Sequence, residues 1–444
     1  MLTKFADYRH ALASVKLSQR VGVVSRIRGL CIESTGPEAA IGELCRIWPS
    51  EQSATALMAE VVGVAGGQLS LMPYGPLQGI RAGCRVVADG AADTIGVGEA
   101  LLGRVIDGFG RPLDSLPAPQ TSACRSLKGA PVNPLQRPPI RHSFQTGVRS
   151  IDCLLTLGQG QRIGIFAGSG VGKSTLLGMI TRHAQADLNV IALIGERGRE
   201  VREFIEQQLG SEGLARSVVV VATADQPALA RVRAAYAALA IAEFFRASGK
   251  QVLLTMDSVT RFAMARREVG LAAGEPPSAR AYTPSVFAEL PELCERCGTD
   301  ATGGSITGLL TVLVEGDDFN EPVADHLRAA LDGHIVLTRE LAHQGQYPAI
   351  DLLQSISRLM SQLVTPEQNA LAATARRHLV LLARHRPMVD IGAYQAGSNP
   401  ALDAALVVEP VLLRWLTQSE GGVLSTQAWQ ELAHILAAVP GQSV

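Results

Sequence analysis

The chain has 444 residues, 47% of them apolar, and a formal net charge of −1. That length exceeds one ordinary core and implies two or three domains with a large buried interior. The near-neutral charge and an aromatic content of only 4% argue against a surface built generally for nucleic acid or for stacking bases.

Residues 1–18 set Phe5, Tyr8, Leu12 and Val15 three or four apart, on one helical face. Such a face suits either an arm packed on the chain's own next domain or a docking helix for a partner protein. From about Gln19 to Asp93 the texture changes to short valine- and isoleucine-rich runs between glycine-bearing turns. These runs are Val21–Ile27, Leu30–Ser34, Cys45–Trp48, Thr55–Val64, Gln68–Pro73 and Arg85–Ala88. They predict a small β-barrel, with nothing in it that looks catalytic. Residues 95–150 are dense in turns and carry no regular period. They are expected to wrap on the core as an irregular connection.

From Ser150 the pattern becomes strand, helix, strand. Strands are predicted at Arg162–Phe166, Val190–Ile194, Val218–Ala222, Val252–Met256 and Leu309–Val314, with helices such as Arg199–Leu209 and Pro227–Ser248 between them. Apolar strands alternating with helices imply a parallel sheet covered on both faces, with ligands at the carboxyl ends of the strands. At one such end stands Gly164-Ile-Phe-Ala-Gly168-Ser-Gly170-Val-Gly172-Lys173-Ser174-Thr175, in the strand–loop–helix setting of a phosphate-binding P-loop. Gly168, Ser169, Gly170, Val171 and Gly172 would turn backbone N–H groups toward phosphate oxygens. The helix beginning at Lys173, Ser174 and Thr175 would add its positive end. Lys173 would reach the β- and γ-phosphates and Ser174 would hold Mg²⁺. Ala167 replaces the usual first glycine, at a position that closes the turn rather than touching phosphate.

Two further strand ends carry carboxylates. Val252-Leu-Leu-Thr-Met-Asp257 has the Walker-B layout, with Asp257 as a Mg²⁺ ligand, directly or through water. Glu196 follows the strand Val190–Ile194 and could polarise an attacking water. The same segment, Glu196–Glu203, is rich in charge and reads equally as a solvated surface run. From about Leu371 the chain turns helical, with apolar positions at Leu379, Leu382, Leu402, Leu406, Leu412 and Leu416.

Seven cysteines are scattered along the chain, and no secretory signal opens it, so reduced thiols in the cytoplasm are expected. Cys294 and Cys297 form one C-x-x-C without a second pair or a histidine cluster, which reads as two helical residues one turn apart. No apolar run approaches the ~20 residues that span a bilayer, so any membrane attachment is expected to be peripheral.

The P-loop, Gly195-Glu-Arg-Gly-Arg-Glu200, Met256-Asp-Ser-Val-Thr-Arg261, Gly274-Glu-Pro-Pro277 and Leu331-Asp-Gly-His-Ile-Val-Leu337 occur in this order. Together they resemble the catalytic subunits of the rotary ATPase superfamily. Thr146-Gly-Val-Arg-Ser-Ile-Asp152, Val314-Glu-Gly-Asp-Asp-Phe-Asn-Glu-Pro322 and Ile391-Gly-Ala-Tyr-Gln-Ala-Gly397 are similar to flagellar type III protein-export ATPases. The resemblance runs over essentially the whole chain.

It implies an α/β fold: a RecA/F1-like P-loop domain with a mainly parallel sheet, preceded by a small β-barrel and followed by a helical domain. The divisions would be 1–18, 19–94, 95–370 and 371–444. It implies that ATP and Mg²⁺ are bound, that Glu196 is the catalytic glutamate, and that Arg197 lies near the γ-phosphate. Arg358 would be the arginine finger given to a neighbour's site, although without the resemblance it reads as a surface ion pair. Tyr347 would stack on adenine, with Tyr394 a candidate for the other side of the base.

The implied assembly is a homohexamer with a stator-like regulatory protein at the N-terminal helix, a central stalk protein, an export gate, and export chaperones with their substrates. The implied role is ATP hydrolysis that energises flagellar export at the cytoplasmic face of the membrane, with no specific nucleic acid partner. Two alternatives stand beside it: the ATPase of a virulence injectisome, and an RNA-translocating ring helicase of the termination-factor type.

Overall fold

The structure is a computed structural model and describes residues 19–90, 93–129, 132–314, 316, 318–319 and 321–437. The docking helix expected within 1–18 lies outside them.

The first six strands are β1 (Val21–Arg28), β2 (Cys31–Thr35), β3 (Leu44–Trp48), β4 (Leu57–Ala65), β5 (Gln68–Pro73) and β6 (Arg85–Ala88). They close into an antiparallel barrel in the order β1-β2-β5-β4-β3-β6. Its core is filled by Val24, Ile32, Ile47, Val61, Leu71 and Val86, supplied by the inward positions of alternating strands. Register shifts between Val24 and Arg26, and between Val61 and Gly63, provide the irregularities that bend strands around a small barrel. Where the Gly36 turn passes under β1, a Cβ on Gly22 would stand 2.1 Å from the Gly36 carbonyl carbon, so this crossing requires glycine.

The described residues of the connection 95–150 include short strands that its lack of a regular period did not predict. β7 (Thr94–Val97) pairs with β9 (Ala123–Ser126). β8 (Arg104–Ile106) joins the edge of the main sheet, parallel to the later strand Ser217–Ala222. Three residues are too few to show a period, so the strand could not be read from sequence. Arg104 and Asp114 pair at 2.7 Å behind it, and the guanidinium holds the Asp114 carboxyl down to about 2. Farther on, β10 (Ser143–Phe144) and β11 (Leu157–Gly158) form a two-stranded ribbon.

The main sheet contains β12 (Arg162–Ala167), β13 (Leu188–Ile194), β14 (Ser217–Ala222), β15 (Gln251–Asp257), β17 (Ser305–Leu313), β18 (Gly333–Leu337) and β19 (Ile350–Ser357), with the short β16 (Gly298–Thr299) beside β17. Its order is β19-β18-β12-β17-β15-β13-β14-β8. All neighbours along that path are parallel except β18 and β19. Sequence reading missed β18 and β19. β19 is a half-exposed edge strand and lacks a continuous apolar run.

The continuous apolar runs of the inner strands have a simple cause. Val190, Ala192 and Ile194 of β13 enter one core, while Ile191 and Leu193 enter the other. The first core holds the helix Ala228–Ala247, whose alanines let it lie close on the sheet. The second holds the helix Lys173–His183 and the C-terminal helices Pro366–Asp390, Pro400–Leu416 and Ser425–Ala437. The helix expected from about Leu371 already begins at Pro366, where Thr365 and Gln368 form a capping box. The Cys294–Cys297 reading also needs correction. The helix Pro284–Glu295 ends between the two, so only Cys294 is helical, although both thiols are fully buried.

Two arginines fasten the connecting region to this core. Arg233 donates to Gly108 O at 3.0 Å and Thr94 O at 3.1 Å, pairs with Asp93, and lies 4.0 Å from the centroid of the Phe109 ring. Arg296 is bidentate on Glu243 at 2.7 and 2.8 Å and donates to Leu127 O at 2.6 Å. Both members of the Arg296–Glu243 pair are buried, so removing one charge strands the other. Glu243→Gln is expected to cost about 3–5 kcal/mol, seen as a lower melting temperature of the purified protein. An unchanged melting curve would refute this role.

Candidate active site

β12 lies inside the sheet between β17 and β18, so its carboxyl end opens among other strand ends. Ala167 ends the strand, 1% exposed, and its oxygen accepts the Val314 N–H at 3.1 Å. The loop then rises to the surface. Gly168 and Val171 are buried, whereas Ser169 and Gly170 are exposed. Gly172 caps the helix with φ +86°, in the left-handed region that favours glycine. The first helical bond runs from Leu176 N–H to Gly172 O at 3.0 Å. The N–H groups of Lys173, Ser174 and Thr175 therefore lack helical partners and sit at the positive end of the helix. Ser174 and Thr175 are exposed. This is an anion cradle made by backbone geometry.

Two carboxylates converge on Lys173. Its Nζ bonds Asp257 at the end of β15 and lies 3.8 Å from Glu196, just past the end of β13. β13 and β15 are sheet neighbours, which brings Glu196 beside Asp257. Thr311 lies on β17, between β12 and β15, and its hydroxyl donates to Asp257 Oδ1 at 2.7 Å. Arg261, one turn beyond Asp257, places Nε 3.3 Å from Glu196. Glu196 is buried, and burial together with the adjacent Asp257 charge pushes its carboxyl up to about 7. Lys173 and Arg261 act against that rise. The charged segment therefore begins with a buried carboxylate and becomes a solvated run only afterwards.

The other residues singled out from sequence fall less close together. Arg197 is turned to solvent, its side chain 73% exposed and paired with Glu200 at 3.6 Å. Arg358 is exposed just past β19 and donates to Arg328 O at 3.2 Å. Tyr347 lies against the P-loop: a Cβ on Gly172 would be 3.3 Å from its ring. Tyr394 is bonded within its own turn, to Asn399 O at 3.1 Å and Asp403 at 2.8 Å. The segment bonded to Tyr347 is the turn Thr417–Gly422 that follows the helix Pro400–Leu416, through Gln418 N–H to Tyr347 O at 2.8 Å. Thr311, Arg261 and Gln418 were not singled out from sequence as site residues. The only hint was a polar residue inside, or one turn beyond, an apolar run.

The donors suit magnesium. The Ser174 hydroxyl and the Asp257 carboxylate are hard oxygen donors. Among the described residues no three His, Cys, Asp or Glu side chains cluster into a complete metal cage. Magnesium commonly takes one or two protein ligands and completes its shell with substrate phosphates and water.

With this geometry in hand, comparison with known proteins places the chain. Residues 147–357 match the nucleotide-binding domain of the ATP synthase alpha/beta family, and residues 24–90 match that family's beta-barrel domain. Residues 364–434 match the T3SS EscN ATPase C-terminal domain. The flagellum-specific ATP synthase of Bacillus subtilis is 55% identical over 90% of this chain and 91% of its own. That of Salmonella typhimurium is 49% identical over 97% and 96%.

The chain belongs to the ATP synthase alpha/beta family. Within it, the chain falls among the flagellar and type III export ATPases, which are ATP-hydrolysing enzymes. The type 3 secretion system ATPase of Xanthomonas euvesicatoria is 48% identical over 89% of both chains. Among solved structures, the assembled ATPase EscN of enteropathogenic E. coli superposes with a TM-score of 0.88 at 45% identity, covering 94% of this chain and all of that one.

Gly195 tests the built geometry. It has φ +70°, and a Cβ there would stand 2.9 Å from Arg261 Cδ. Gly195→Ala must displace Arg261 or Glu196, and is expected to lower ATP turnover about 10–100-fold in a protein that still folds. Wild-type steady-state rates would show that this contact is irrelevant to the site.

Proposed function

We propose that this chain is a Mg²⁺-dependent ATP hydrolase that energises flagellar type III protein export. The observation that carries the reading is the convergence of Glu196 and Asp257 on the P-loop Lys173 at adjacent strand ends. The β- and γ-phosphates of ATP lie on the N–H groups of the loop and helix start. Lys173 gives up its bond to Asp257 and neutralises phosphate instead. Magnesium, held by Ser174 and Asp257, supplies Lewis-acid charge at the phosphate oxygens when bound. Glu196 accepts a hydrogen bond from the attacking water and orients it. Arg197 turns in toward the γ-phosphate, and Tyr347 stacks on the base.

Arg358 completes the site of a neighbouring subunit in a homohexamer. Its exposure and its single described side-chain bond, to a backbone carbonyl, leave the guanidinium available for this. An arginine finger is worth about 10³–10⁵ in rate, or roughly 4–7 kcal/mol of barrier. Related proteins support an assembly of this kind. EscN has been solved assembled, and also in complex with its central stalk EscO. We extend the reading to a central stalk protein, a stator-like regulator at residues 1–18, an export gate, and export chaperones with their substrates.

Among the described residues no helix is long and apolar enough to cross a membrane. The proposed location is the cytoplasm, peripheral to the membrane. The second reading, an injectisome ATPase, is favoured by the similarity to the Xanthomonas enzyme and to EscN. Neighbouring genes for rod and hook, or for needle and translocon, distinguish the two.

Glu196→Gln is expected to abolish hydrolysis while ATP still binds. Arg358→Ala alone is expected to lose activity by about 10³-fold or more. Mixing the two inactive variants should restore part of the rate, because some interfaces then pair an intact Glu196 with an intact Arg358. Mixtures as inactive as their components would refute a finger supplied in trans.

The Glu196 carboxyl, raised to about 7, also sets a pH limb. Below that pH it is protonated and cannot accept the water proton. Thus kcat/KM should climb as pH rises through about 7 and then level off. A profile flat across neutral pH would contradict the assignment.

A further inference from the structure

Thr417-Gln-Ser-Glu-Gly-Gly422 follows the helix Pro400–Leu416 and reads as an ordinary polar turn. The structure buries its glutamine. Gln418 is 5% exposed, and both ends of its amide are used. Nε2 donates to Gly147 O at 2.9 Å, and Oε1 accepts the Arg149 N–H at 3.0 Å. Its own N–H donates to Tyr347 O at 2.8 Å. The next peptide nitrogen after Tyr347 belongs to Pro348, so that carbonyl is the only hydrogen-bonding group of its peptide.

The far end of the turn is fixed too. Gly422 N–H donates to Gly147 O at 3.1 Å. A Cβ on Gly421 would lie 2.4 Å from His183 Cδ2, at the end of the P-loop helix. The turn is therefore anchored on the nucleotide-binding domain at Gly147, Arg149 and His183, and from that anchorage it holds the backbone of Tyr347.

We propose that Gln418 is a positioning residue for the nucleotide base: its side chain fixes the turn whose N–H sets Tyr347 over the P-loop. The inference rests on the reading that Tyr347 faces the base. Gln418 touches neither phosphate nor base. Its loss releases the tyrosine while the phosphate cradle at Lys173 stays intact. This separates its effect from general damage, because a ligand without a base should not register the change.

The test measures equilibrium binding to the full chain by calorimetry, with Mg²⁺ present. One ligand is a non-hydrolysable ATP analogue and the other is inorganic tripolyphosphate. Gln418→Met keeps the side-chain volume and removes both hydrogen bonds. It is expected to weaken the ATP analogue about five- to tenfold and to leave tripolyphosphate unchanged. Tyr347→Ala should weaken the analogue as well, and the double variant should bind no worse than Tyr347→Ala alone.

Unchanged analogue affinity in Gln418→Met, with a loss in Tyr347→Ala, would overturn the positioning role and leave the stacking reading standing. An equal loss for both ligands in Gln418→Met would show a merely structural role and overturn the proposal. Unchanged affinity in Tyr347→Ala would remove the stacking reading, and this inference with it. If Gln418→Met does not fold, Gln418→Asn, which carries the same amide on a shorter arm, takes its place in the comparison.

Discussion

The site depends on one electrostatic arrangement: a single ammonium group, Lys173, facing two carboxylates that are largely out of water. Asp257 and Glu196 repel each other, and burial disfavours the charge of Glu196. Lys173 makes their proximity tolerable, the Thr311 hydroxyl donates to Asp257, and the Arg261 guanidinium adds positive charge 3.3 Å from Glu196. Such a cluster is poised rather than relaxed. In the proposed mechanism a polyphosphate would take over Lys173, leaving Asp257 for the cation and Glu196 for water.

Sheet order makes the arrangement possible. Lys173 follows β12 and Asp257 ends β15, with β17 between them. Lys173 spans the width of β17 to reach Asp257, and β17 contributes Thr311 at the crossing point. Glu196 comes from β13 on the far side of β15. Parallel strands present all these carboxyl ends on one edge of the sheet, and the two cores on its faces keep that edge rigid.

The remainder of the molecule braces this edge from two directions. On one side, Arg233 and Arg296 bind the connecting region to the helices over the sheet. On the other, the turn Thr417–Gly422 joins the C-terminal helices to Gly147, His183 and Tyr347. The helical region is thus tied to the helix that follows the P-loop and to the aromatic beside it. A movement of those helices would have to act on both.

The features legible in the residues alone are the local ones. Glycines before Gly-Lys-Ser specify the P-loop through backbone conformation, unbroken apolar runs specify strands buried on both faces, and Asp257 is legible because it ends such a run, whereas Glu196 opens a charged segment that reads equally as solvated surface. The barrel strands were readable from their turns. Only the tertiary structure decided which strand ends are neighbours, and with that the bond of Lys173 to Asp257, the contribution of Thr311 and the raised Glu196 carboxyl.

Packing likewise turns Arg197 to solvent, bonds Tyr394 to Asn399 and Asp403, adds β8 to the sheet and brings the Gln418 N–H to Tyr347. The physical reason is range. Backbone conformation and the periodicity of burial are set within a few residues, whereas charge pairing and hydrogen bonding act between groups that only strand order and domain packing bring within about 3–4 Å.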